Sequence, residues 1–140
     1  MSENRIYLDH IGVACHDLKE ASRFWQILGL LQNESDDVVA EQGVTVRFLS
    51  TSADDPKQPR IELLQPLGDD TTIGKFLRNR GEGIQQICFR VDDLDSMIAL
   101  LVKNGVHMID ETPRKGSHGS SIAFVHPKST GGVLVELCQS

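Results

Sequence analysis

Cysteine is scarce in this chain. There are three, Cys15, Cys88 and Cys138, far apart and with no C-x-x-C pair among them. An odd number at such spacing argues against a disulfide framework and for a reducing compartment. Long apolar runs are missing too: no stretch approaches the roughly 18 consecutive apolar residues of a membrane span. The opening MSENRIYLDH is polar and holds no apolar segment of signal-peptide length. The expectation is a cytoplasmic protein, or an organellar one whose transit peptide is missing, with no membrane partner. Positive charge is also in deficit, since 14 Lys and Arg face 20 Asp and Glu for a net charge of −6. A nucleic-acid partner, which wants a basic face, is therefore not expected. An anionic small molecule held by local basic residues remains compatible with this balance.

What is present is ordinary for a globular domain. The chain has 140 residues, 39 % hydrophobic and 24 % charged, enough to bury a real core as one domain over residues 1–140.

The most informative feature is an internal repeat. The stretch GIQQICFRV (Gly83 to Val91) reads as a strand, and LDHIGVACHDL (Leu8 to Leu18) looks like its copy. Displacing the chain by 76 positions sets His10 on Gln86, Ile11 on Ile87, Asp17 on Asp93, Leu18 on Leu94 and Gly29 on Gly105 without a gap. Each copy has an alternating strand, then a helix-capping Asp, then an apolar-periodic run, then Gly. The first helix should begin after Asp17, with Glu20 in a capping-box-like position and Leu18, Ala21, Phe24, Trp25 and Leu28 facing inward. Gly29 supplies its stop. The second should begin after Asp93, with Leu94, Met97, Ile98 and Leu101 inward and Gly105 at its end.

Further strands follow: VTVRFLS (Val44 to Ser50) and RIELLQP (Arg60 to Pro66) in the first copy, SSIAFVHP (Ser120 to Pro127) and GVLVELCQ (Gly132 to Gln139) in the second. Residues 51–59 read as a solvated turn, and Leu67 to Gly83 as a joining segment with a short helix. The copies span about residues 7–66 and 83–139, each reading β-α-β-β-β. The fold class is α+β, with two paired modules forming a cupped mixed sheet.

Side chains alternate along strands. Ile11, Val13 and Cys15 should face the core, leaving His10 on the opposite face with Gly12 and Ala14 and space above them. Ile87, Phe89 and Val91 should face the core, leaving Gln86 with Cys88 and Arg90. Glu62 lies opposite Ile61 and Leu63. Glu136 lies opposite Val133, Val135 and Leu137. The repeat thus pairs His10 with Gln86, and Glu62 with Glu136. If the copies pack side by side, one imidazole, one amide and two carboxylates converge, a donor set suited to a divalent cation with open positions.

The segments L-D-H-I-G-V-A, E-L-L-Q-P-L-G, G-E-G-I-Q-Q-I-C-F-R-V-D-D, F-V-H-P-K and G-G-V-L-V-E-L, in this order and spacing, resemble the vicinal oxygen chelate superfamily. Within it they are most similar to the methylmalonyl-CoA epimerase family, over about Tyr7 to Gln139. The resemblance implies one divalent ion (Co²⁺, Mn²⁺, Mg²⁺, Ni²⁺ or Zn²⁺) held in the cup by His10, Glu62, Gln86 and Glu136. It also implies an acyl-CoA thioester substrate, a place in propionate metabolism and a homodimer.

This chain departs from the family pattern at three positions. Gln86 stands where the family usually has His, Glu62 where it often has Gln, and Val46 where bacterial members often carry a second Glu. An amide oxygen still ligates a hard cation. The two ligand changes add one negative charge and should favour magnesium, manganese or cobalt over zinc.

The implied reaction inverts C2 between a thioester and a carboxylate through an enolate, which needs an acid/base group on each face. Glu136 and Glu62 are the expected pair, with Glu41 or a metal-bound water behind Glu62. In G-S-H-G-S, Ser117, Gly119 and Ser120 could hold the thioester or carboxylate. Lys128 could meet a phosphate, as could Lys75, Arg78, Arg80, Arg114 and Lys115. His118 and His126 read as loop and turn residues. A glyoxalase-like isomerase and a ligand-binding relative without epimerase activity are the alternatives. Gln86 argues against an extradiol dioxygenase, which wants two histidines on iron.

Overall fold

The computed structural model of the chain describes residues 3–55 and 57–140. Met1, Ser2 and Pro56, the last inside the turn expected over residues 51–59, lie outside the described residues. Two compact units are formed, one by His10–Gln85 and one by the described residues up to Asp9 together with Gln86–Ser140.

The His10–Gln85 unit contains the later part of β1 (Ile6–Ala14), then α1 (Leu18–Leu28), β2 (Asp37–Val39), β3 (Val44–Ser50), β4 (Arg60–Pro66) and α2 (Thr72–Arg80). Its strand order is β2-β3-β4-β1. β1 and β4 run parallel with Ile11 opposite Ile61, and the other pairs are antiparallel. The Asp17 carboxylate accepts from the Glu20 N–H at 2.9 Å, and Gly29 ends α1 at φ 122°, both as the sequence implies.

The buried face of α1 differs from the expected one. Leu18 is buried and Ala21 and Trp25 pack inward, but Phe24 and Leu28 are each 63 % exposed. The inner position belongs to Ser22, 1 % exposed. Its hydroxyl donates to the Leu18 carbonyl and accepts from Arg47 Nη1 at 2.9 Å. Arg47 lies in β3 beneath the helix, so a small polar residue must point at it. This turns Phe24 and Leu28 outward.

The space expected above the whole His10 face is filled at one end. Ala14, Val46, Phe48 and Leu64 form a buried cluster with Ile73 and Leu77 of α2. Thr71 caps that helix by accepting from the Gly74 N–H at 3.1 Å.

The second unit holds β5 (Gly83–Val91) from Gln86 onward, α3 (Leu94–Lys103), β6 (Arg114–Lys115), β7 (Ser121–Val125) and β8 (Val135–Gln139). Its order is β5-β8-β7-β6, with β5 and β8 parallel and the rest antiparallel. Leu94, Met97 and Ile98 of α3 are buried against Val91, Ala123, Val125 and Leu137, on the face the periodicity predicts. Asp93 caps α3 through Ser96. Val133, expected to face the core, is 40 % exposed because β8 starts only at Val135, after Gly131 and Gly132 have turned the chain at φ 78° and 98°.

The short strands β2 and β6 complete β-α-β-β-β in each half. The segments named from sequence supplied only two strands after each helix. The fold is α+β with mixed strand pairing and three helices, each strand-helix half repeating the other.

Candidate functional site

The parallel pairing of β1 with β4 sets Gly12 opposite Glu62 and His10 opposite Arg60. His10 Nε2 then lies 3.2 Å from Glu62 Oε1, both side chains 5 % exposed. The His10 ring meets Phe48 edge-on at 5.2 Å, and the Arg60 guanidinium stacks over the same Phe48 ring at 3.9 Å. Arg60 also reaches Glu34 at 3.6 Å. A cation over the aromatic face is favourable, and this one stands on the same strand as Glu62, two residues away.

The second unit repeats the arrangement. The parallel pairing of β5 with β8 sets Cys88 opposite Glu136. Gln86 donates its Nε2–H to Glu136 Oε1 at 2.8 Å, with Gln86 6 % and Glu136 5 % exposed. Of the adjacent amides, Gln86 is the buried one that meets a carboxylate. The Gln85 oxygen is enclosed with no hydrogen-bond partner among the described residues. In each unit, then, the first strand offers a nitrogen-bearing side chain to a carboxylate on the strand parallel to it. Burying such groups is costly unless they are paired or coordinated.

Each unit by itself offers donors that suit a hard or borderline divalent ion: an imidazole nitrogen and a carboxylate in one, and in the other a carboxylate and an amide whose nitrogen is committed to Glu136 so that its oxygen is the end to offer. In the second unit the buried residues Asp9, Cys88 and Cys138 also place their ligand atoms within 4.8 Å of one another. Burial, and then a hydrogen bond with Cys138, push the Cys88 thiol above its ordinary range. Burial likewise pushes Cys15 up to about 11.

The other expected site residues flank β7 at its two ends. Ser117 and Gly119 form a single 3-10 turn before this strand, closed by the Ser120 hydroxyl donating to the Ser117 carbonyl at 2.8 Å. His118 adopts φ 51° in this turn, a left-handed conformation uncommon outside glycine. Lys128 lies beyond the other end of β7, in a turn where its N–H donates to His126 Nδ1 at 3.1 Å. A five-residue strand separates the two turns, about 17 Å at the usual rise. Val46 is 2 % exposed among apolar neighbours, and Glu41 is exposed.

Sequence reasoning missed two features of the site. One is the stacking of Arg60 on Phe48. The other is the ion pair of Arg90 Nη2 with buried Asp9 at 2.5 Å. Burial disfavours the Arg90 charge and Asp9 favours it, with the guanidinium held above its ordinary value. Only cross-strand register reveals such partners; alternation along one strand does not.

Two β-α-β-β-β halves, each burying a polar side chain against a carboxylate on a parallel strand, define a duplicated class of proteins whose chemistry is built on paired strands. The chain belongs to the Glyoxalase/Bleomycin resistance protein/Dioxygenase superfamily, whose family model matches residues 9–124, and within it to the methylmalonyl-CoA epimerase relatives.

It is 39 % identical to the mitochondrial methylmalonyl-CoA epimerase of Dictyostelium discoideum, over 93 % of this chain and 76 % of that protein. It is 34 % identical to the ethylmalonyl-CoA/methylmalonyl-CoA epimerase of Cereibacter sphaeroides, over 94 % and 96 %. A solved methylmalonyl-CoA epimerase in complex with methylmalonyl-CoA and NH4+ superposes with a TM-score of 0.88 at 38 % identity, covering 96 % of this chain and 94 % of that one.

Proposed function

We propose that this chain is an epimerase acting at C2 of methylmalonyl-CoA or a closely related 2-substituted malonyl thioester. The observation that carries this reading is the buried carboxylate in each half at matched positions, Glu62 beside His10 and Glu136 beside Gln86. Inversion at carbon needs one group to remove a proton and another to return one to the opposite face. Glu136 and Glu62 are the proposed pair. The relatives acting on methylmalonyl-CoA support the substrate class. Val46 sits in an apolar cluster, which leaves proton transfer to these two glutamates.

His10, Glu62, Gln86 and Glu136 are the proposed holders of one divalent ion, with Co²⁺, Mn²⁺ or Mg²⁺ favoured by the oxygen-rich set and Ni²⁺ and Zn²⁺ as further candidates. Such an ion supplies Lewis-acid stabilisation of the enolate. Gln86 keeps Glu136 oriented through its amide N–H. Glu62 is held by His10. Ser117, Gly119 and Ser120 are proposed to contact the acyl portion and Lys128 a phosphate of coenzyme A. The chain is proposed to work as a single domain in a cytoplasmic homodimer. The apolar ridge of Phe24, Ile27 and Leu28, exposed by 63 %, 79 % and 63 %, supports that assembly.

The experiment is deuterium incorporation at C2 of methylmalonyl-CoA in D₂O, read by mass spectrometry with and without Co²⁺ or Mn²⁺. Metal-dependent exchange above the enzyme-free rate is expected. No exchange with any metal would overturn the epimerase reading in favour of a ligand-binding relative.

A further inference from the structure

In the His10–Gln85 unit, Arg60 shares a sheet face with His10 and Glu62. It precedes Glu62 by two residues in β4, so both side chains leave the strand on the same side. The Arg60 guanidinium stacks over Phe48 at 3.9 Å, and the same ring meets His10 at 5.2 Å. Phe48 stands opposite Glu62 across β3 and β4. One aromatic ring therefore fixes the cation beside the His10–Glu62 pair. The other end of this face, at Ala14, Val46 and Leu64, is apolar and closed by α2. Recognition of charge falls to the end where His10 stands opposite Arg60.

We propose that Arg60 is the specificity-determining residue of the site, receiving the ionised carboxylate of the 2-substituted malonyl thioester in place of Glu34. This inference rests on the epimerase reading and names what selects its substrate.

The guanidinium already attracts a carboxylate. Glu34 Oε1 lies 3.6 Å from Arg60 Nη1, an ion-pair distance longer than a hydrogen bond. The loop that presents Glu34 is pinned: Gln32 Nε2 donates to the Glu34 carbonyl at 3.0 Å and to Asp36 at 2.9 Å. The Glu34 side chain is 46 % exposed and that of Arg60 16 %. A long contact to a half-exposed carboxylate is worth little. A substrate carboxylate that forms charge-assisted hydrogen bonds with the shielded guanidinium gains more, and Glu34 can turn to water. Spacing agrees. Residues two apart on a strand stand roughly 6.5 Å from one another. The carboxylate of a malonyl thioester is bonded directly to C2, so it can meet Arg60 while C2 stands at Glu62. Arg60 makes and breaks no covalent bond. It selects a thioester that carries a carboxylate and turns C2 toward the base.

The test is isothermal titration calorimetry of the full chain with malonyl-CoA and with acetyl-CoA, which differ only by the carboxylate. EDTA is present throughout, so that no divalent ion contributes to carboxylate binding. In Arg60→Gln the affinity for malonyl-CoA is expected to fall at least about tenfold, the usual worth of hydrogen bonds to a charged group, while that for acetyl-CoA is unchanged. Arg60→Lys keeps the charge without the planar fork and should lie between. Glu34→Gln leaves Arg60 in place and removes its competitor, so it should bind malonyl-CoA about two- to fivefold more tightly with acetyl-CoA unchanged. That variant decides the matter if circular dichroism shows an Arg60 variant to be unfolded. An unchanged malonyl-CoA affinity in Arg60→Gln or in Glu34→Gln would overturn the proposal. So would an equal loss of both thioesters, the mark of a coenzyme A phosphate contact or of a structural role. A parent chain that binds neither thioester would overturn the epimerase reading as well. Selection by Arg60 without deuterium exchange at C2 would support this inference and overturn that reading alone.

Discussion

At the scale of single residues, the two carboxylates divide into separable tests. Glu136→Gln removes the acid/base group but keeps the shape and an acceptor for Gln86. Turnover is expected to fall by about 10²–10⁴-fold, the usual share of general acid/base catalysis, with the circular dichroism spectrum unchanged. Glu62→Gln, if it kept full turnover with metal bound, would remove Glu62 from the proton-transfer pair. Gln86→His restores an imidazole and should raise Zn²⁺ affinity at least about tenfold, roughly 1.4 kcal/mol, measured by competition with a chromogenic chelator. The four residues were legible in the sequence, because the repeat sets His10 on Gln86 and Glu62 on Glu136 and strand alternation turns all four away from the expected core; that His10 meets Glu62 and Gln86 meets Glu136 was not. Nor were Arg60 over Phe48 and Asp9 with Arg90. Each depends on which residues stand across from one another, and nothing in a single strand encodes that.

At the scale of elements, capping and the buried face of α3 were readable and the orientation of α1 was not. Asp17 and Asp93 cap as their positions imply, but the polar contact between Ser22 and Arg47 rotates α1 away from the face that hydrophobicity alone selects. The strands β2 and β6 are too short, at three and two residues, to leave an alternation pattern.

Arg47 also grips Asp36 through two nitrogens, each at 2.8 Å. That hydrogen bonding holds the Asp36 carboxyl below its ordinary value. A lowered folded-state value adds stability above the unfolded carboxylate range and loses it as pH falls through the folded value. Asp36→Asn should therefore be less stable than the parent at pH 7. The gap should close as the solution is acidified below the usual carboxylate range, read by urea denaturation at each pH.

Gly74 makes a steric prediction. A Cβ there would stand 2.8 Å from the Asp69 carbonyl oxygen and closer still to that of Gly68. Both are backbone atoms that cannot swing aside. Gly74→Ala is expected to cost about 1–3 kcal/mol and to lower the melting temperature by several degrees, despite alanine's better helix propensity.

At the scale of the whole molecule, repetition is what made the fold readable, since each half restates the grammar of the other. A divalent ion bound only by the folded chain should raise its stability by about 2.7 kcal/mol at a hundredfold excess over its dissociation constant. Adding a chelator should reverse the shift, as followed by thermal melts. The proposed homodimer predicts twice the chain mass in sedimentation equilibrium. Ile27→Asp, on the exposed ridge of α1, should yield a monomer of unchanged helix content.

The N-terminal segment is fastened to the late part of the chain. Asn4 bonds to Asp93, Arg5 to Asp92 and Asp9 to Arg90, all within the unit that closes with β8. Synthesis runs from the N- to the C-terminal side, so residues 4–9 cannot find these partners until residues 90–93 have been made. Residues 10–85 hold every strand and helix of their own unit. That unit can mature while residues 4–9 wait, so a nascent chain stalled before residues 90–93 are made should expose residues 4–9 to proteases while the middle of the chain is already protected.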